Sequence, residues 1–299
     1  MHMRFLRNSL VGVIILSVSC QSPEDTPLPA TEGIGPDSDQ AAIVQHLLEA
    51  EQAKRNTTAM ALHFPAMERQ AAYDIQNAIL AEKNKGEGQL GWKIGYSRAE
   101  DETVTLDPIF GHMMMSNIIN PEEPISAAQV TGDSAVVEGE FAFYLEKDLR
   151  GPNVTRDQVI DAVSGVAGVV EILASWTQAP DGMTNTRNHD IAGNVFHVGA
   201  IFGKNRVTLD KIDFSKETVT AVVNGEEKVS GEAAWTMGKD PVEAVVWLAN
   251  ELIKYGPYTL KSGDVVITGT VFNPPRIAIG GKAVMKYSTL GEVEVEMVP

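Results

Sequence analysis

The chain has 299 residues, 43% hydrophobic and 21% charged, with a formal net charge of −16. This composition supports a globular core and excludes a disordered chain, a collagen and a multi-span membrane protein. The acidic balance argues against nucleic acid as a partner, and the single cysteine, Cys20, excludes an intrachain disulfide and a thiolate zinc cluster.

Arg4 and Arg7 form a short basic start, and Leu10 to Leu16 is an apolar run broken only by Gly12. Ser17-Val18-Ser19-Cys20 follows. A basic start, a short apolar run and small residues at a cut site describe a signal peptide over residues 1–19, too short to span a bilayer. The lone Cys20 resembles a bacterial lipobox, which implies that Cys20 is the lipidated mature N-terminus. An ordinary secretory signal and a start codon set too far upstream are the other readings of this stretch. The expected location is the periplasmic side of the bacterial envelope, held to the membrane only through a lipid anchor, or secreted if Cys20 carries no lipid. Residues 20–38, rich in Pro, Ser, Thr, Gly and acids, read as a flexible tether.

Order is expected from Asp39, an N-cap ahead of helically spaced Ile43, Leu47 and Leu48. A second helix is predicted over 66–84, with Met67, Ala71, Ile75, Ala78 and Ile79 along one stripe and Gly86 and Gly88 beyond its end. From Gly91 the texture changes to strands and turns. Gly91 to Gly95, Val136 to Leu145, Gly165 to Ala174 and Asn194 to Phe202 read as strands. Thr155-Arg156-Asp157-Gln158 is a capping box that opens a helix. Val219 to Val223 and Glu227 to Val229 flank Asn224-Gly225, a strong hairpin turn. Asp240-Pro241-Val242-Glu243 starts a helix that runs to Tyr255 and stops at Gly256. Asp264 to Thr268, Ala283 to Tyr287 and Glu292 to Val298 close the chain as strands. The expectation is an α+β protein: a small helical N-terminal region over 39–115 and a β-rich, metal-binding domain over 116–299.

Val137 to Leu145 carries the sharpest chemical signal. Strand alternation puts Glu138, Glu140, Ala142 and Tyr144 on one face and Val137, Phe141, Phe143 and Leu145 on the core face. Two carboxylates about 7 Å apart, by two residues of strand rise, repel unless a cation sits between them. A hard divalent ion with oxygen ligands resolves that repulsion, while a solvated strand face is the plain alternative. Glu171 stands alone in the apolar run Gly168 to Leu173, either as a third ligand or as an acid at a wet sheet edge. Three carboxylates suit Mg²⁺ or Mn²⁺ better than zinc, since no histidine cluster accompanies them. Lys93, between Trp92 and Ile94 with a glycine on either side, either positions charge and protons beside a bound anion or snorkels from a surface strand. His112 follows Phe110-Gly111 and is a candidate for the pocket edge; Thr268-Gly269-Thr270 ends a strand where small residues can hold a substrate carboxylate.

The series GWKIG, PIFGHM, VEGEFAFYL, DLRGPNVT, VVEIL, NVFHVGAIFG, PVEAVVWLANEL and GDVVITGT, in order from about Ala71 to Val298, resembles the 2-keto-4-pentenoate hydratase and 2-oxo-acid decarboxylase branch of the fumarylacetoacetate hydrolase superfamily. The resemblance implies a β-roll with a helical N-terminal part, and Mg²⁺ or Mn²⁺ on Glu138, Glu140 and Glu171. It implies a catalytic Lys93; His112, Asn194 and Thr270 are the candidate substrate contacts. Hydratases of this group carry Asp before Phe-Gly where this chain has Ile109, and the segment 187–194 looks like their D-x-x-x-D-N loop shortened by one residue. The implied activity is a metal-dependent lyase that adds water to 2-hydroxy-dienoic or 2-oxo acids, giving a 4-hydroxy-2-oxo acid. A decarboxylase, a C–C hydrolase and an inactive tethered 2-oxo-acid-binding lipoprotein are the alternatives. The expected partners are small 2-oxo or dienoic acids and further copies of the chain in a homo-oligomer.

Overall fold

The computed structural model describes residues 33–299, so the signal peptide, Cys20 and most of the tether lie outside the described residues. Three helices come first: α1 (Gln40–Gln52), α2 (Ala59–His63) and α3 (Arg69–Lys83). The strands β1 (Gln89–Gly95), β2 (Ile109–Met114), β3 (Ile125–Ser126) and β4 (Ser134–Leu145) follow. Next come α4 (Arg156–Ala162), β5 (Val163–Leu173), α5 (Arg187–Ala192) and β6 (His197–Phe202). The hairpin β7 (Thr218–Val223) and β8 (Glu226–Glu232) precedes α6 (Pro241–Glu251), and β9 (Val265–Ile267), β10 (Arg276–Ala278), β11 (Lys282–Tyr287) and β12 (Gly291–Val298) end the chain. Among the described residues no helix is long and apolar enough to cross a membrane.

The caps behave as their residue types require. Asp39 accepts from the Ala42 amide at 2.9 Å, Thr155 and Gln158 close a reciprocal capping box, and Asp240 accepts from the Val242 amide at 2.8 Å behind Pro241.

Two sheets make the body, giving an α+β architecture with few helices. The larger runs β2-β1-β9-β4-β5-β6, with β10 paired on β4. All its pairings are antiparallel except β1 with β9. This sheet curls until its edge strands β2 and β6 touch. Its inner face carries Lys93, Glu138, Glu140 and Glu171, and deeper in lies an apolar floor of Met113, Ala142, Val169, Ala200, Val265 and Ile267. At Gly91, φ is +156° and an added Cβ would lie 1.9 Å from the Val265 carbonyl, so only glycine lets β1 lie this close to β9. The second sheet, β3-β12-β11-β7-β8, packs on the outer face.

Two wedges fix the curl. From α3, Tyr73 stacks on Phe110 of β2 with ring centroids 4.3 Å apart, and the Gln76 amide donates to the Phe110 and Ile191 carbonyls at 3.0 and 2.8 Å. From the second sheet, the buried Tyr287 hydroxyl accepts from the Glu140 and Val169 amides at 3.0 and 3.1 Å. It therefore anchors β4 to β5 directly behind Glu140. The expected division at residue 115 is not a structural seam: β1 and β2 precede it and yet are strands of the main sheet, sharing one core with the helices.

Candidate active site

Register explains how the acids meet. Glu138 on β4 lies opposite Glu171 on β5, and Glu140 opposes Val169, so all three carboxylates share the inner face. One oxygen of each lies within 4.8 Å of the others. Glu140 and Glu171 are fully buried and Glu138 half-buried. Lys93, paired through its strand with Ile267, reaches Glu171 Oε2 at 3.2 Å and donates to the Val195 carbonyl at 3.0 Å. His197 Nδ1 lies 2.7 Å from Glu171 Oε1, and the Gly269 amide donates to Glu140 Oε2 at 2.6 Å. Glu140 Oε1 is buried with no hydrogen-bond partner.

Three acids against one lysine leave excess negative charge in a dry site. Burial, then Glu171 and Glu138, push the Glu140 carboxyl well above the ordinary carboxylate range. Burial and the charge of Glu171 push Glu138 up to about 7. Burial acts on Glu171 as well, but Lys93 and His197 outweigh it and hold that carboxyl low. Burial alone would push Lys93 down; Glu171, Glu138 and Glu140 outweigh it and hold the ammonium above the ordinary lysine range. An orphaned buried oxygen among three converging carboxylates is a donor set for a hard divalent cation.

The site opens into a cavity of about 850 Å³ walled by Lys93, Tyr96, Glu138, Arg187, Thr270 and Arg276 among others. Thr270 is therefore on the wall, where its hydroxyl donates to the Phe272 carbonyl at 3.3 Å. His112 is placed elsewhere. It pairs with Trp92 in register and points away from the Lys93 face, fully buried, with neither ring nitrogen hydrogen-bonded. Burial lowers its pKa well below the ordinary histidine value, so the ring is neutral packing.

Asn194 acts on the backbone. Its side chain accepts from the His112 amide at 2.9 Å and donates to the His112 carbonyl at 3.0 Å, substituting for a neighbouring strand at the β2 edge. Asn194, Val195 and Phe196 have φ of +57°, +53° and +65°. Three successive left-handed residues cost roughly 1–2 kcal/mol each, so the turn is held against strain. It aims the Val195 carbonyl at Lys93. Gly111 makes room for it: a Cβ there would sit 2.7 Å from Asn194 Oδ1. Asn194→Ala should lose about 1–3 kcal/mol of stability, because two backbone groups of His112 lose their partner in the dry interior. Urea unfolding checks this; a change below about 0.5 kcal/mol, the scale of an ordinary surface substitution, would refute the clamp.

A curled sheet gathers three carboxylates that could hold a metal ion, and a buried lysine, at the mouth of a cavity. Residues 80–298 match the Fumarylacetoacetate (FAA) hydrolase C-terminal family, and the chain belongs to that family. It is 29% identical over 255 residues to a 2-hydroxyhexa-2,4-dienoate hydratase of Comamonas testosteroni, covering 84% of this chain and 95% of that protein. It is 29% identical over 262 residues to a 2-keto-4-pentenoate hydratase of Burkholderia vietnamiensis, covering 86% and 97%. The fold superposes on a 4-oxalocrotonate decarboxylase from Pseudomonas putida G7, solved in complex with magnesium and adipate. That match has a TM-score of 0.78 at 23% identity and covers 87% of this chain and 97% of that one. The two named relatives support an enzyme of the 2-keto-4-pentenoate hydratase type that acts on small molecules.

Sequence alone does not expose His197 as the partner of Glu171, nor the Gly269 amide as the partner of Glu140. Both contacts span stretches of chain, 26 and 129 residues, that only the sheet register brings together.

Proposed function

We propose that this chain is a hydratase: a lyase dependent on Mg²⁺ or Mn²⁺ that adds water to a 2-hydroxy-dienoic or 2-oxo acid and yields a 4-hydroxy-2-oxo acid. The observation that carries the reading is the triad Glu138, Glu140 and Glu171 with a buried orphaned oxygen, in a chain that aligns with named hydratases over nearly their full length. The cation, when bound, supplies Lewis-acid stabilisation of the substrate's 2-oxygen and a template for its carboxylate.

The remaining work falls to the chain's own residues. Glu138, Glu140 and Glu171 hold the ion, and the Gly269 amide and His197 fix the carboxylate rotamers. Lys93 would put a positive charge beside the 2-oxygen, where negative charge builds as the dienol gives up its O–H proton and again as water adds at C4, and its ammonium would donate a proton to the substrate carbon. Thr270 offers a hydroxyl from the wall.

Turnover of 2-hydroxypenta-2,4-dienoate with Mg²⁺ and with a chelator tests the reading, with the product identified by mass. A 4-hydroxy-2-oxo acid formed only with metal is the expected result. Carbon dioxide released from a 2-oxo-enedioate, with no hydration, would make the chain a decarboxylase. A protein inert on every 2-oxo acid, yet saturable by oxalate or pyruvate in calorimetry, would make it a binding protein.

A further inference from the structure

We propose that Tyr96 and Asp190 form the dyad that activates the attacking water, with Tyr96 as the catalytic residue facing substrate and Asp190 as its proton acceptor. The proposal rests on the hydratase reading above. Tyr96 lies just past β1, three residues beyond Lys93, and lines the cavity alongside Lys93 and Glu138. Its hydroxyl donates to Asp190 Oδ2 at 2.7 Å. Tyr96 is 43% exposed, whereas Asp190 is only 6% exposed and its Oδ1 has no hydrogen-bond partner. The phenol thus bridges a wet cavity and a buried carboxylate.

The arrangement is braced. Tyr96 has φ of +59°, a conformation that bulky residues avoid and that costs of order 1–3 kcal/mol. Arg187 covers the ring, its guanidinium carbon 3.9 Å from the centroid. Arg187 in turn donates to the Asp107 carbonyl at 2.6 Å, and Arg69 holds the Asp107 carboxylate at 2.7 Å. Strain maintained by a stacked cation and two further contacts marks a side chain whose aim matters.

The nitrogen groups beside the three carboxylates already have partners. The Lys93 ammonium is committed to Glu171 and Val195, and His197 to Glu171. Burial pushes the Asp190 carboxyl above its ordinary range despite the opposing Tyr96 hydrogen bond, which suits it to hold a proton.

The step balances without an oxidant. As the water oxygen bonds to C4 of the 2-oxo-3-ene acid, the C3–C4 π pair shifts toward the 2-oxygen. The water proton passes to the Tyr96 oxygen while the Tyr96 proton passes to Asp190. When the 2-oxo group re-forms, C3 takes up the proton, and the net change is one added water.

The experiment follows 2-hydroxypenta-2,4-dienoate with Mg²⁺ in D₂O by NMR, scoring deuterium at C5 (ketonisation) separately from the 4-hydroxy product (hydration). For Tyr96→Phe the ratio of hydration to C5 deuteration should fall by about 10²–10⁴, the span of a lost general base. Asp190→Asn, which keeps a hydrogen-bonding group in place, should shift the same ratio in the same direction. Mn²⁺ affinity by calorimetry verifies that each variant is folded. A Tyr96→Phe ratio within about tenfold of wild type would overturn the dyad, as would hydration and deuteration falling together. A wild type that neither deuterates nor hydrates would instead overturn the hydratase reading on which the dyad stands.

Discussion

Glu171→Gln should abolish metal-dependent turnover and weaken Mn²⁺ binding by about two to three orders of magnitude. Glu171 is fully buried and takes contacts from both Lys93 and His197, so the substitution removes a ligand and leaves Lys93 without its nearest counter-charge. Loss of an outer-shell partner alone costs a metal site about 10–100-fold in affinity, and loss of a ligand itself costs more. Calorimetric titration with Mn²⁺ reads the effect directly; affinity unchanged within error would remove Glu171 from the ligand set.

The same acids give the metal-free protein an unusual pH response. Burial, with the neighbouring charges, raises Glu138 to about 7 and Glu140 well beyond its ordinary value. The folded chain therefore keeps protons that the unfolded chain has already released. By linkage, stability of the metal-free protein falls as pH rises from the ordinary carboxylate range through about 7. A bound cation displaces those protons, so Mg²⁺ should raise the melting temperature more at pH 8 than at pH 6. Thermal melts with chelator and with Mg²⁺ at the two pH values test the sign.

Local rules were enough for the parts of the site that lie along single strands. Period-2 alternation alone places Glu138 and Glu140 on one face, and an acid in an apolar run alone marks Glu171. The helix starts at Asp39, Thr155 and Asp240 were legible because each cap uses its own neighbours. β2 was not, because Ile109 to Met114 is buried throughout and shows no alternation. For the same reason His112 looked like a pocket residue: its orientation depends on pairing with Trp92, not on its own neighbours. Asn194 read as a substrate contact, yet in the fold its amide is consumed by the backbone of a strand 82 residues away. Tyr96 carried no signal at all beside the Lys93 motif, since its meaning comes from Asp190, 94 residues on.

Lys93→Met should lower turnover by about 10²–10⁴, the span of a lost general acid. The isosteric stem keeps the packing, so the loss reports the ammonium. Lys93 is 1% exposed and its ammonium sits 3.2 Å from Glu171, so its removal acts on the metal-free protein as well. Without it the buried carboxylates have no cation, and the chelator-treated variant should be about 3–5 kcal/mol less stable than wild type. Metal binding has the opposite expectation. A positive charge beside the ion opposes binding, so Mn²⁺ affinity should hold or rise in the variant, and saturating Mn²⁺ should restore much of the lost stability. Calorimetry, chelator melts and dienoate turnover on one preparation separate these effects. Turnover within about tenfold of wild type would take the proton from Lys93, and Mn²⁺ affinity that collapses with the substitution would show that the lysine organises the ligands instead of the substrate.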